Sequence, residues 1–130
     1  MEITAQYLLL IEQKRFSEAL PLIEELVCRN PNIATSQFNY GICLVELHRY
    51  PNAARAFLHA YKLKPEMGGA LYRGCLALAD ADDSSGLLNV FQRECLRDPK
   101  IIALFFEEVK FTRFWEMPEF KSLKNKYAAS

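Results

Sequence analysis

Apolar residues in this chain recur at intervals of three and four, which is the spacing of one face of an α-helix. The central part shows two such stripes, formed by Phe38, Ile42 and Val45 and then by Ala53, Phe57, Ala60 and Leu63. Between the stripes, Pro51 marks the start of a new helix, because proline is tolerated in a first turn but not in a helix interior. The spacing therefore predicts antiparallel helix pairs, each helix about a dozen residues long, joined by tight turns.

The same organisation returns at a fixed interval. Three 17-residue segments end in proline: RFSEALPLIEELVCRNP (15–31), RYPNAARAFLHAYKLKP (49–65) and DSSGLLNVFQRECLRDP (83–99). The prolines at 31, 65 and 99 are separated by 65 − 31 = 34 and 99 − 65 = 34 residues. Such a period is typical of stacked copies of one supersecondary unit. We predict a single all-α domain over 1–130, with units at about 1–33, 34–67 and 68–101 and a degenerate fourth unit or cap at 102–130.

Two local features refine this prediction. Glycine inside a helix costs about 1 kcal/mol relative to alanine, so Gly41 predicts the close approach of a partner helix, with Phe57 filling the space between units. Ser17, Ser84 and Ser85 are predicted N-caps of the second helices, since their hydroxyls accept hydrogen bonds from first-turn amides.

The second unit carries the residues of a known repeat. Gly41, Ala53, Phe57 and Pro65 match the glycine, alanine, phenylalanine and proline of a 34-residue consensus, although Gln37, Tyr40 and Leu44 depart from it. The first unit keeps the phase with Phe16, Ala19, Ile23 and Pro31, and the third with Cys75, Leu87, Phe91 and Pro99. Residues 1–99 thus resemble the tetratricopeptide repeat. The resemblance implies a right-handed α-α superhelix, a solenoid of helix-turn-helix pairs that binds other proteins.

The composition and charge of the chain argue against several classes of function. Sixteen acidic residues balance sixteen basic ones, so the chain lacks the basic excess expected of a nucleic-acid-binding protein. No apolar run approaches the roughly 20 residues that span a bilayer, so membrane insertion is not expected. The basic residues near the N-terminus follow the apolar segment, which is the reverse of a secretory signal. We expect a cytoplasmic protein whose cysteines, none at C-x-x-C spacing, are reduced.

Candidate chemistry is sparse, and we predict neither an enzyme nor a cofactor. His48 lies in a turn and His59 on an outer helix face, without the partners that a catalytic site needs. The sequence contains no phosphate-binding glycine loop. The acidic segment from Asp80 to Ser84 lacks the glycine and the closing glutamate of a calcium loop, so no metal site is expected.

A protein-binding surface is the stronger prediction. In stacked helix pairs the first helix of each pair lines the concave side. The predicted partner-binding residues are Leu8, Ile11, Phe38, Asn39, Ile42, Val45, Tyr72, Arg73, Leu76 and Phe106. Because most are apolar, they suit the apolar face of an amphipathic helix or an extended hydrophobic segment. The chain's own tail or self-association could instead fill the same surface.

One subset of the resembled family clamps a C-terminal carboxylate with lysine, asparagine and arginine side chains. The corresponding positions here hold Thr4, Leu8, Asn39, Gly69 and Arg73. Only Asn39 and Arg73 retain that chemistry, which leaves too little positive charge for a carboxylate. Asn39 can still bond the backbone of a bound peptide.

Other roles remain open at this point. The short chain is similar to the three-repeat chaperones of bacterial type III secretion, which shield aggregation-prone clients, and its apolar faces could also build a homo-oligomeric scaffold. The tail carries six aromatic residues: Phe105, Phe106, Phe111, Phe114, Trp115 and Phe120. These either pack onto the third unit or provide a second interface.

Overall fold

The computed structural model describes residues 2–128, apart from the side chains at positions 102, 106 and 128. These residues form eight α-helices: α1 (Ile3–Glu12), α2 (Phe16–Arg29), α3 (Ala34–Glu46), α4 (Tyr50–Leu63), α5 (Gly68–Asp80), α6 (Ser84–Arg97), α7 (Ile102–Phe106) and α8 (Pro118–Ala128). Short 3₁₀ turns cover Pro99–Ile101, Val109–Phe111 and Phe114–Glu116. Within residues 2–128 there is no β-strand, which confirms the all-α prediction.

The 34-residue period appears in the backbone of the turns. Lys14, His48 and Asp82, which follow the first helices of the three pairs, have φ values of 60°, 59° and 57°. After the first of these, the amide of Arg15 donates to the carbonyl of Leu10 at 2.8 Å, and the other two turns repeat this bond. A left-handed residue with a hydrogen bond spanning six residues is a Schellman helix ending. Each turn therefore starts its second helix at the same place, at residues 16, 50 and 84.

The predicted serine caps are wrong. Helix α2 begins at Phe16, one residue before Ser17, and α6 begins at Ser84. The N-cap residue of each helix is instead the one that directly follows the residue with positive φ. Arg15 occupies that position in α2 and makes no side-chain capping bond. In α6 the position belongs to Asp83, whose Oδ1 accepts from the amide of Gly86 at 2.9 Å.

The chain divides into two compact units, 1–77 and 78–130. In the first unit the helices pack in chain order, α1 on α2, α2 on α3 and α3 on α4. Its core includes Ala19, Ile23, Leu44, Ala53, Phe57 and Ala60, each no more than 1% exposed. Phe57 is the residue that the sequence predicted to fill the space between units, and its burial agrees with that role. The extent of a single domain over 1–130 stays a prediction.

The second unit is organised around Phe91, a fully buried residue of α6. The ring of Phe105 stacks on it at 4.4 Å between centroids, and the ring of Trp115 stacks at 5.4 Å. Phe111 and Phe120 approach the same ring edge-on, at 5.5 and 5.9 Å. These four aromatic residues of the tail thus pack onto α6, the second helix of the third pair. The side chain of Phe106 lies outside the described residues.

The lengths and hydrophobicity of the helices can be compared with what a membrane span requires. Across residues 2–128, no helix is both long enough and apolar enough to cross a lipid bilayer.

Candidate protein-binding face

The first helices of the pairs carry the predicted partner-binding residues. All except Phe106, whose side chain is not described, lie in the first unit on α1, α3 and α5. We call the apolar members the apolar row: Leu8, Ile11, Phe38, Ile42, Val45, Tyr72 and Leu76. Their spacing of three and four places the members from any one helix on a single side of it.

The apolar row is partly exposed to solvent. Leu8 is 45% exposed and Tyr72 is 39% exposed, while the other five members are half-buried. On α3 the neighbouring residues Cys43 and Leu44 are no more than 1% exposed. The helix α3 therefore has one side that belongs to the core and another side that is only half-buried.

Phe38, a member of the apolar row, also contacts residues of two other helices. Its ring meets the buried ring of Phe57 edge-on, with centroids 5.4 Å apart. The guanidinium carbon of Arg73 lies 5.5 Å from the centroid of the Phe38 ring, within the range of a cation–π contact. Phe38 therefore links α3 to both α4 and α5, and only part of its surface is open.

The amide of Asn39 also has an internal partner. Its Nδ2 donates to the hydroxyl oxygen of Tyr7 at 3.3 Å, which joins α3 to α1. Tyr7 is only 2% exposed and lies 34 residues before Gly41 in the repeat. Tyr7 was not among the predicted site residues, although its place in the repeat, equivalent to Gly41, is one of close helix approach. Asn39 retains hydrogen-bonding capacity for a ligand, because an amide carries two donor hydrogens and one acceptor oxygen.

A polar cleft of about 410 Å³ lies elsewhere in the first unit, and Pro31, Gln37, Tyr40, Asn52, Arg55, Ala56 and His59 line it. The carbonyl of Pro31 accepts from Nε2 of Gln37 at 2.8 Å and lies 3.0 Å from Nε2 of His59. Burial, reinforced by the charge of Glu24, raises the pKa of Tyr40. The cleft thus contains hydrogen bonds that hold the α2–α3 turn, and its tyrosine stays protonated at neutral pH.

The remaining reactive side chains are dispersed or buried. His48 Nδ1 lies 2.7 Å from the hydroxyl of Tyr50. Burial raises the pKa of Cys43 to about 11 and also raises that of Cys95. Among the residues that the structure describes, no three His, Cys, Asp or Glu side chains group closely enough to hold a metal ion.

Neither the protein-family models nor the curated proteins provide a relative from which a function could be transferred. No protein-family model matches the sequence, and a search of curated proteins finds no significant match. Its role has therefore to be inferred from its own helices and side chains.

Proposed function

We propose that this chain is a non-catalytic protein-binding module. It holds an amphipathic helix, or an extended hydrophobic segment, of another protein against the first helices of its pairs. The observation that carries the proposal is the partial exposure of the apolar row, in which Leu8 and Tyr72 are 45% and 39% exposed. Large apolar side chains that stay accessible together on one surface are typical of an interface.

The architecture that we propose is a tetratricopeptide-like solenoid with a right-handed superhelix. Three turns that each contain a residue with positive φ, spaced 34 residues apart, support this architecture. The sequential packing of the helix pairs supports it as well. The buried positions of Ala53 and Phe57, together with the contact of Phe57 with Gly41, agree with the resembled repeat. In such a solenoid the first helices line the concave surface, which is where an elongated ligand binds.

Recognition would be mainly apolar, with a small polar contribution. The apolar row offers contacts at the three-to-four spacing that an amphipathic helix presents. Asn39 can hydrogen-bond the ligand backbone, and the exposed guanidinium of Arg73 can pair with an acidic side chain at the ligand's edge. The preferred ligand is therefore an apolar helix that also carries an acidic residue.

A displayed library of helical peptides tests this proposal. We expect the protein to select peptides with apolar residues at i, i+3, i+4 and i+7. Leu8→Asp and Tyr72→Asp should each abolish their binding, because a carboxylate would have to be desolvated against an apolar ligand. Both side chains are substantially exposed, so the variants should retain the helical circular dichroism of the parent protein.

The control is Leu96→Asp, which places the same charge at a 75% exposed leucine on α6, outside the apolar row. Selected peptides should bind this variant as they bind the parent. Failure to select any apolar helical peptide would refute the proposed function, as would peptides that bind Leu8→Asp and Tyr72→Asp with undiminished affinity.

A further inference from the structure

The polar cleft of the first unit contains an arginine whose charge is not neutralised. Arg55 is exposed and forms no ion pair with any residue that the structure describes. Its Nη2 donates to Oδ1 of Asn52, which leaves most of the five N–H donors of the guanidinium available. No aspartate or glutamate lines the cleft. The cleft thus presents a fixed positive charge without a counter-charge in its lining.

Tyr40 adds a hydroxyl donor from the α3 side of the cleft. The residue is half-buried, and its hydroxyl makes no hydrogen bond to any described part of the chain. Burial, reinforced by the charge of Glu24, raises the pKa of Tyr40, so the hydroxyl keeps its proton at neutral pH. A protonated phenol can donate a hydrogen bond to a ligand in the cleft.

The α4 side of the cleft is built from one face of that helix. Asn52, Arg55 and His59 are spaced by three and four residues, which places them on the same side. Nε2 of His59 lies 3.0 Å from the carbonyl oxygen of Pro31 and must carry the proton of this bond, because a carbonyl only accepts. With Oδ1 of Asn52 engaged by Arg55, Nδ2 of Asn52 supplies further donors. The bond from His59 fixes the turn at the edge of the cleft, so the site exists before a ligand arrives.

The groups that remain available are donors, and together they match a carboxylate. An ionised carboxylate only accepts hydrogen bonds, and its two oxygens fit the fork of an arginine. A phosphate monoester carries about −1.5 to −2 charges, which the single fixed charge of Arg55 would leave unbalanced. Glu24 and Arg49 lie close enough to influence Tyr40, but their opposite charges offset each other. The charge of Arg55 therefore decides the sign of the ligand.

We propose that the polar cleft binds an aspartate or glutamate side chain of a protein segment, held by Arg55, Tyr40 and Asn52. Because Asn52 and Arg55 are exposed, the cleft is open to a side chain that enters from solvent. Its volume of about 410 Å³ exceeds that of one carboxylate and leaves room for the adjoining backbone. This carboxylate site is separate from the apolar row, because Tyr40 is rotated by about 200° around α3 from Phe38.

A titration followed by two-dimensional NMR tests the proposal. The probe is N-acetyl-glutamate N-methylamide, and the matched control ligand is its glutamine analogue, which has the same shape without the charge. We expect the glutamate probe to shift the backbone amide signals of Asn52 and Arg55 in a saturable manner. The glutamine analogue should cause much smaller shifts, because it lacks the charge that strengthens hydrogen bonds to arginine.

Substitutions identify the groups that hold the carboxylate. Arg55→Gln should raise the Kd of the glutamate probe about tenfold, since it removes a hydrogen-bonded charge. Tyr40→Phe should raise the Kd several-fold while it keeps the ring in place. The matched control is Arg15→Gln, because Arg15 lies outside the cleft and is paired with Glu18 at 2.5 Å. It should bind the probe as the parent protein does.

Two further ligands distinguish the sources of the anion. Acetate should bind more weakly than the glutamate probe, because it lacks the adjoining backbone; equal affinity would overturn the assignment to a protein segment. Inorganic phosphate that binds as tightly as the probe would overturn the preference for a carboxylate. The site itself would be overturned by a glutamate probe that causes no saturable shifts, or by an Arg55→Gln variant that binds it with undiminished affinity.

The carboxylate site and the proposed function fail separately. Arg55→Gln should bind selected apolar helical peptides as the parent protein does, since Arg55 lies outside the apolar row. Loss of both kinds of binding in this variant would show that one surface serves both ligands and would overturn a separate carboxylate site.

Discussion

Phe57 lies so close to Gly41 that a β-carbon at position 41 would stand 2.8 Å from three carbons of its ring. The ring has little room to retreat, because Phe57 is 1% exposed and Phe38 contacts its edge. This contact fixes the separation of α3 and α4, and through Phe38 it also bears on the apolar row. The sequence predicted it, since a glycine inside a helix requires a packing reason.

Gly41→Ala should therefore destabilise the protein despite the better helix propensity of alanine. Overpacking of a rigid core costs about 1–3 kcal/mol, whereas the gain in propensity is about 1 kcal/mol. Because the ring is held in place, the cost should fall in the upper half of that range, so we expect a net loss of about 1–2 kcal/mol in the free energy of unfolding, measured by urea titration of helical circular dichroism. Gly68→Ala is the control, because a β-carbon there would meet nothing within 4 Å. Equal or greater stability of Gly41→Ala would contradict the close contact.

Much of the fold was accessible from the sequence because the repeat is local. The 34-residue spacing and Pro51 predicted the positions of the helix pairs, and Gly41 predicted where two helices approach closely. The turn geometry was not accessible. Lys14, His48 and Asp82 all adopt positive φ, although helix endings of this type are usually signalled by glycine. Without that signal, the sequence pattern indicates a serine as the N-cap of α6, whereas the structure places Asp83 there.

The sequence predicted which helix positions the candidate site residues occupy, but it did not predict which residues they contact. The spacing of apolar residues placed Leu8, Ile42 and Leu76 on equivalent positions of three helices. The bond between Asn39 and Tyr7 joins residues 32 positions apart, and its partner choice depends on how α1 and α3 pack. No local pattern specifies such a distant pairing.

Phe91→Ala should greatly destabilise the second unit. The substitution removes the ring against which Phe105 and Trp115 stack and leaves a cavity in the aromatic core. Such changes cost about 3–5 kcal/mol, a large part of the stability of a typical domain. Because Trp115 is the only tryptophan in the sequence, its fluorescence reports on this unit. We expect its unfolding transition at a markedly lower denaturant concentration.

Leu104→Ala is the matched control for that experiment. Leu104 lies near the same core in sequence but is 69% exposed, so its truncation should change the unfolding free energy by no more than about 0.5 kcal/mol. Similar transitions for the Phe91 and Leu104 variants would show that the aromatic cluster does not organise the unit.

The four cysteines should differ sharply in reactivity. Cys28 is exposed, whereas Cys43, Cys75 and Cys95 are buried. Burial raises the pKa of Cys43 to about 11, so at pH 8 this thiol is almost entirely protonated as well as inaccessible. A thiol reagent at pH 8 should therefore titrate one equivalent in the folded protein and all four after denaturation. Cys28→Ser should abolish the rapid reaction, and a second fast equivalent would contradict the burial of the others.

Asp83→Ala should remove the capping bond at the start of α6. Oδ1 of Asp83 accepts from the amide of Gly86 at 2.9 Å, and its negative charge also faces the positive end of the helix dipole. Loss of such a cap costs about 0.5–2 kcal/mol, which urea titration of helical circular dichroism should report. Arg49→Ala provides the control in the equivalent turn, where the backbone angles are similar but the arginine makes no capping bond. Only the aspartate accepts a hydrogen bond from a first-turn amide, so Asp83→Ala should lose more unfolding free energy than Arg49→Ala. Equal losses in the two variants would show that the turn, and not the capping bond, is responsible.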